Sequence, residues 1–100
     1  MYTVEYTQFA LEGLINLKKT EPGAIEECKR LLERLKHENF GLKLENKFGR
    51  DLSKYRKIYF HNRRYRIIYK KEYDLITVCG VGEREDLKIY KDIYEKFEKD

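Results

Sequence analysis

The sequence predicts an α+β domain: an N-terminal strand and a helical hairpin packed on an antiparallel sheet of about four strands, with a C-terminal helix. Three observations predict it. Apolar residues recur every three to four positions through residues 8–38, alternate through residues 55–81, and return to helical spacing after residue 85. At 100 residues the chain reads as one domain spanning 1–100, long enough to bury about 60–70% of its unfolded surface without disulfides or a structural metal.

Tyr2, Val4 and Tyr6 alternate with Thr3 and Glu5, the pattern of a half-buried strand. Thr7 is an N-cap for a helix from about Gln8 to Lys19, with Leu11, Leu14 and Ile15 on its apolar face. Glu21-Pro22-Gly23 interrupts it, and proline suits the first turn of a second helix from Pro22 to about Glu38, carrying Ile25, Cys28, Leu31 or Leu32, and Leu35. Gly41 can end that helix. The period then becomes two. Ile58 and Phe60 alternate with Lys57 and Tyr59, while Tyr65, Ile67 and Tyr69 alternate with Arg66, Ile68 and Lys70. A third run, Leu75–Val81, follows the turn at Glu72-Tyr73-Asp74. Short connections make these an antiparallel meander. Tyr90, Ile93, Tyr94 and Phe97 define the last helix. Two helices can cover one sheet face, so Tyr65, Ile67 and Tyr69 are expected beneath them. Arg66 and Lys70 are expected on a face left partly open.

Composition narrows the function. Eight basic residues and no acidic one lie between Lys54 and Lys71, whereas the other 82 residues carry 14 basic and 18 acidic groups. A net charge of +4 is thus +8 in one window set against an acidic remainder. The window interleaves Lys54, Arg56, Lys57, Arg63, Arg64, Arg66 and Lys70 with Tyr55, Tyr59, Phe60, Tyr65 and Tyr69. Cations neutralise phosphates and aromatic faces stack on unpaired bases, which is what binding of single-stranded nucleic acid needs. The competing readings are a solvated sheet face balanced by the acidic helices, and a strip that holds an acidic peptide.

Other classes find little support. No apolar run approaches the ~20 residues of a membrane span, and Glu5 and Glu12 interrupt any signal-peptide core, so a cytoplasmic protein without membrane association is expected. Cys28 and Cys79 lack CxxC spacing and only two histidines are present, which disfavours zinc and fits two buried thiols in a reducing compartment. Gly80-Val81-Gly82 lacks the third glycine and the helix of a dinucleotide site. Neither His37 nor His61 has a carboxylate or thiol partner at catalytic spacing, so chemistry here would rest on Arg, Lys and Tyr, with no metal or other cofactor.

Four segments, in order, resemble the RelE/ParE toxin superfamily of type II toxin–antitoxin systems: Tyr55–Phe60, the Tyr65-Arg66-Ile67-Ile68-Tyr69 strand, Val78–Arg84, and Ile89-Tyr90. The resemblance is specific over residues 54–90 and architectural before them. It implies a RelE-like fold, a cognate RelB-like antitoxin, and ribosome-dependent endonucleolytic cleavage of mRNA without a metal. The family's arginines and tyrosine match Arg66, Arg84 and Tyr90, and Lys57 is the best match for a lysine acting as base or electrostatic partner, with Arg56 beside it. Lys54, Arg56, Tyr59, Arg63, Arg64 and Lys70 would then contact RNA. Two positions depart from the family pattern. Tyr59 stands where a second cation is frequent, and Glu83 stands where many relatives carry a basic residue or His before the arginine. The alternatives are a ParE-like toxin that binds DNA gyrase without nuclease activity, and a non-toxic RNA-binding module of the same fold.

Overall fold

A computed structural model describes residues 1–44 and 54–83. The expected C-terminal helix, Arg84 and Tyr90 lie outside the described residues. Five strands and two helices follow in the order β1 (Thr3–Tyr6), α1 (Gln8–Thr20), α2 (Pro22–Leu35), β2 (Leu42–Lys43), β3 (Tyr55–Phe60), β4 (Tyr65–Glu72) and β5 (Leu75–Glu83).

The expected meander is β3–β4–β5, antiparallel throughout. The full sheet has the order β1-β5-β4-β3-β2 and is mixed, because β1 lies parallel to β5 at one edge and the two-residue β2 adds to the other. The helical hairpin carries the chain from β1 at one edge of the sheet to β2 at the other, and the meander then returns to β5 beside β1. In the β4–β5 ladder Ile68 pairs with Gly80 and Tyr69 with Val78, so Cys79 is the extra residue of a bulge.

Thr7 makes the corner between β1 and α1. Its hydroxyl accepts from the Ala10 amide at 3.1 Å and donates to the Cys79 carbonyl at 3.1 Å, satisfying a helix-end donor while tying the cap to β5. A single residue, Glu21, separates the helices, and Pro22 begins α2 where its missing N–H costs nothing. The Glu21 carboxylate makes no capping bond.

Both helices pack on one sheet face. Ala10, Leu17, Ala24, Cys28, Leu32 and Leu35 meet Ile58, Phe60, Tyr65, Ile67, Tyr69, Ile76, Val78 and Val81 there. In α1 the buried line runs through Ala10 and Leu17 with Leu14 packed beside it, while Leu11 is 40% and Ile15 56% exposed, which corrects the expected apolar face at those two positions. The reason is a close approach. A Cβ on Gly13 would stand 2.2 Å from the Val81 carbonyl oxygen, so α1 lies directly on β5 along its small residues. The opposite sheet face is not open throughout either: Tyr55, Ile68 and Cys79 are fully buried.

Buried Cys28 has a consequence for stability at high pH. Burial chiefly, and then the charge of Glu27, push its thiol from 9.0 up to about 12. Between those values the unfolded thiol releases its proton while the folded one keeps it, so stability falls as pH rises. The loss is about 1.4 kcal/mol per pH unit, roughly 4 kcal/mol by pH 12. Tyr6, Tyr65 and Tyr69 are raised as well, mainly by burial, and add to the alkaline slope. Denaturant melts of Cys28→Ala from about pH 8 to about pH 11, spanning the onset of thiol ionisation in the unfolded chain, should show a shallower slope than wild type. Equal slopes would contradict a buried, protonated Cys28.

Candidate functional site: a cation cluster on the β3–β4 ribbon

Strand alternation sorts the basic window onto two faces. Ile58 and Phe60 point to the helices, so Lys57 and Tyr59 point away from them. Across the ladder Lys57 pairs with Ile68 and Tyr59 with Arg66. Arg66 sits on the same face and is only 3% exposed, the one charged residue buried to that degree among the described residues. The expectation of an exposed Arg66 is therefore corrected. Gly82 pairs with it on its other side and presents no side chain to crowd it.

Tyr59 is the hub. Its ring has the Arg63 guanidinium at 4.8 Å, the Lys57 ammonium at 5.1 Å and the Arg66 guanidinium at 6.0 Å from its centroid. Cations so placed are drawn to the ring quadrupole, about 0.5–1 kcal/mol each at exposed sites and more when desolvated. The ring thus collects three positive charges from two strands and a turn. Such a group can bind a polyanion and can stabilise negative charge that develops on a phosphate.

The other sequence-predicted cations lie elsewhere. Arg56 shares its face with Ile58 and Phe60, and its guanidinium donates to the Gly41 carbonyl at 2.7 Å. It helps hold the segment after α2, where the Tyr69 hydroxyl also accepts from the Gly41 amide at 2.8 Å and donates to the Asn39 Oδ1 at 2.6 Å. Arg56 is thus not brought to the cluster. Arg64 turns toward the helices, 3.7 Å from the Glu21 carboxylate and over the Tyr65 ring. Lys70 faces the same side as Arg66 but lies four residues along β4, about 13 Å away at strand rise, with its ammonium 3.7 Å from Glu72. Lys54 stands over the Tyr55 ring at 6.0 Å. Among the described residues, no three His, Cys, Asp or Glu side chains gather as a metal site.

The turn that carries Arg63 is unusual. His61, Asn62 and Arg63 all have positive φ, at 54°, 57° and 65°. Non-glycine residues adopt this region at a cost of about 1 kcal/mol or more each. Carboxylates of the helical hairpin meet the turn: Glu27 accepts from the His61 amide at 3.2 Å, and Glu21 lies 3.4 Å from the His61 imidazole Nε2. Neither glutamate carries a sequence signal for this role, because each is an ordinary polar residue of a helix end or helix surface.

No family model and no curated relative matches this chain. Solved structures do. A variant of the E. coli toxin RelE in the free state superposes with a TM-score of 0.71 at 22% identity, over 96% of this chain and 97% of that one. YafQ from E. coli gives 0.69 at 16% identity, covering 87% and 98%. The YoeB dimer from Staphylococcus aureus gives 0.64 at 15% identity, covering 83% and 97%. The chain has the RelE-like toxin fold.

Proposed function

We propose that this protein, which shares its fold with RelE, YafQ and YoeB, is a toxin of a type II toxin–antitoxin system that cleaves mRNA on the ribosome. The observation that carries the reading is the group of Lys57, Arg63 and Arg66 around Tyr59, with Arg66 buried in the sheet face. A buried guanidinium is costly to desolvate, and a fixed charge aimed at a phosphate is what strand scission needs. The reaction is attack by a ribose 2′-hydroxyl on the adjacent phosphate with expulsion of the 5′-oxygen. Arg66 stabilises the crowded phosphate, joined by Arg84, which follows directly on the last residue of β5. Lys57 assists at the 2′-hydroxyl, and Tyr90 orients a base. Arg63 holds the RNA backbone beside the reacting phosphate.

Solved complexes of similar chains include the intact E. coli RelBE toxin–antitoxin complex and a YoeB–YefM complex, which supports an antitoxin as partner. The acidic partner surface would meet the +8 window. The test is purified protein added to translating ribosomes, with mRNA ends mapped by primer extension. Cuts in register with codons support the proposal. Intact mRNA together with inhibited DNA gyrase would replace it with the ParE-like alternative. Intact mRNA and no effect on growth when the protein is expressed alone would leave an RNA-binding module.

A further inference from the structure

We infer that Glu21 and Glu27 are positioning residues for the cation cluster: they latch the β3–β4 turn in its left-handed conformation and so hold Arg63 over the Tyr59 ring. The inference rests on the reading of that cluster as an RNA-phosphate site, and it concerns residues on the far side of the sheet from the cluster.

The turn faces two ways. Toward the helices, the His61 amide donates to Glu27 at 3.2 Å, the His61 imidazole lies 3.4 Å from Glu21, and Arg64 lies 3.7 Å from the other Glu21 oxygen. The buried Tyr65 ring is 5.9 Å from the imidazole, which closes the group. Away from the helices, Arg63 reaches back to Tyr59 at 4.8 Å. Between these contacts run three successive residues with positive φ, none of them glycine. Within the turn itself, the bond from the Arg64 amide to the His61 carbonyl at 3.1 Å closes the loop. One such bond does not outweigh three left-handed residues, which persist only where surrounding contacts over-determine them. The two glutamates supply those contacts at its first and last positions. Their placement follows from the hairpin: Glu21 is the lone junction residue, with its carboxylate unused for capping, and Glu27 lies on the next turns of α2. Without them the turn relaxes toward right-handed or extended backbone, and Arg63 swings off Tyr59.

The experiment uses the full chain and five variants: Glu27→Ala, Glu27→Gln, Arg63→Ala, and Glu27→Ala combined with either Asn62→Gly or Arg63→Ala. NMR reads the ring-current shift of the Arg63 δ-protons caused by Tyr59, and fluorescence anisotropy reads binding of a short single-stranded RNA. Glu27→Ala should bring the Arg63 shift close to its random-coil value and weaken RNA binding about three- to tenfold, as Arg63→Ala does. Glu27→Gln, whose amide oxygen still accepts from His61, should retain both. Asn62→Gly removes one left-handed penalty and should restore most of what Glu27→Ala loses, a rescue that general destabilisation does not give. Adding Glu27→Ala to Arg63→Ala should weaken binding no further. An Arg63 shift unchanged in Glu27→Ala overturns the latch, as does equal loss in the Ala and Gln variants. If wild type binds no RNA, the phosphate-site reading falls, while the Arg63 shift still decides the latch.

Discussion

Arg66→Met should lower mRNA cleavage by 100-fold or more while leaving the protein folded. Removing one preorganised charge from a phosphoryl or acyl transition state costs on the order of 10²–10³ in rate. Arg66 is 3% exposed, faces Tyr59 across the ladder, and adjoins Gly82 on β5. A guanidinium so placed has been taken out of water, and exchanging it for a neutral side chain isolates what its charge does for the reaction. Methionine keeps the unbranched apolar stem and removes the guanidinium. The measurement pairs single-turnover cleavage on ribosomes with a denaturant melt. A folded variant with activity lost marks Arg66 as a residue kept for function. A variant that unfolds would instead assign Arg66 to the fold, and one that cuts at the wild-type rate would remove it from the site. Arg66→Lys should restore little, because an ammonium cannot make the planar paired contacts of a guanidinium.

Gly13→Ala should lower Tm by about 10 °C or more. Alanine in a helix interior is ordinarily worth about 1 kcal/mol over glycine, so the sign expected from propensity alone is the opposite one. Here the new methyl would lie 2.2 Å from the Val81 carbonyl oxygen and 3.2 Å from its carbon. Those atoms belong to β5 backbone, paired with Ile67 on one side, and cannot swing away as a side chain can. Overpacking of this kind costs ~1–3 kcal/mol or more, and in a domain of this size each kcal/mol moves Tm by about 4–8 °C. Gly23→Ala is the control. Nothing lies within 4 Å of a Cβ there, so Tm should hold or rise. A Gly13→Ala melt at or above wild type would show that α1 can stand off β5.

The meander is legible because Ile58, Phe60, Tyr65, Ile67 and Tyr69 recur at every second position, broken in polarity only by Ile68, and the turns between the strands are short. Much of the site followed from the same parity: Lys57, Tyr59 and Arg66 share a face once β3 and β4 pair in register. Parity also held a correction in plain sight, since it places Arg56 with Ile58 and Phe60, on the helix side. Arg63 is one cation among the eight of the basic window, because its place over Tyr59 depends on three dihedral angles in a turn. The apolar face of α1 was misjudged for a related reason. Large residues at Leu11 and Ile15 suggested a buried stripe, but contact distance is set by the smallest residue, Gly13. The parallel seat of β1 had no local signal, since its partner lies some seventy residues further on.

That seat has a consequence for the order in which the chain becomes a protein. Both β1 and α1 rest on β5: Val4 pairs with Ile76, and Gly13 lies against Val81. The first fifth of the chain therefore lacks its main docking surface until residues 75–83 have been made. During synthesis β1 and α1 wait for the strand that seats them while that segment is still being added. Contacts of such long sequence separation also slow folding after release. Lys57, Tyr59 and Arg66 are all synthesised before β5, yet the sheet that aligns them is finished last. A nascent chain thus carries the side chains of the site well before it carries the site.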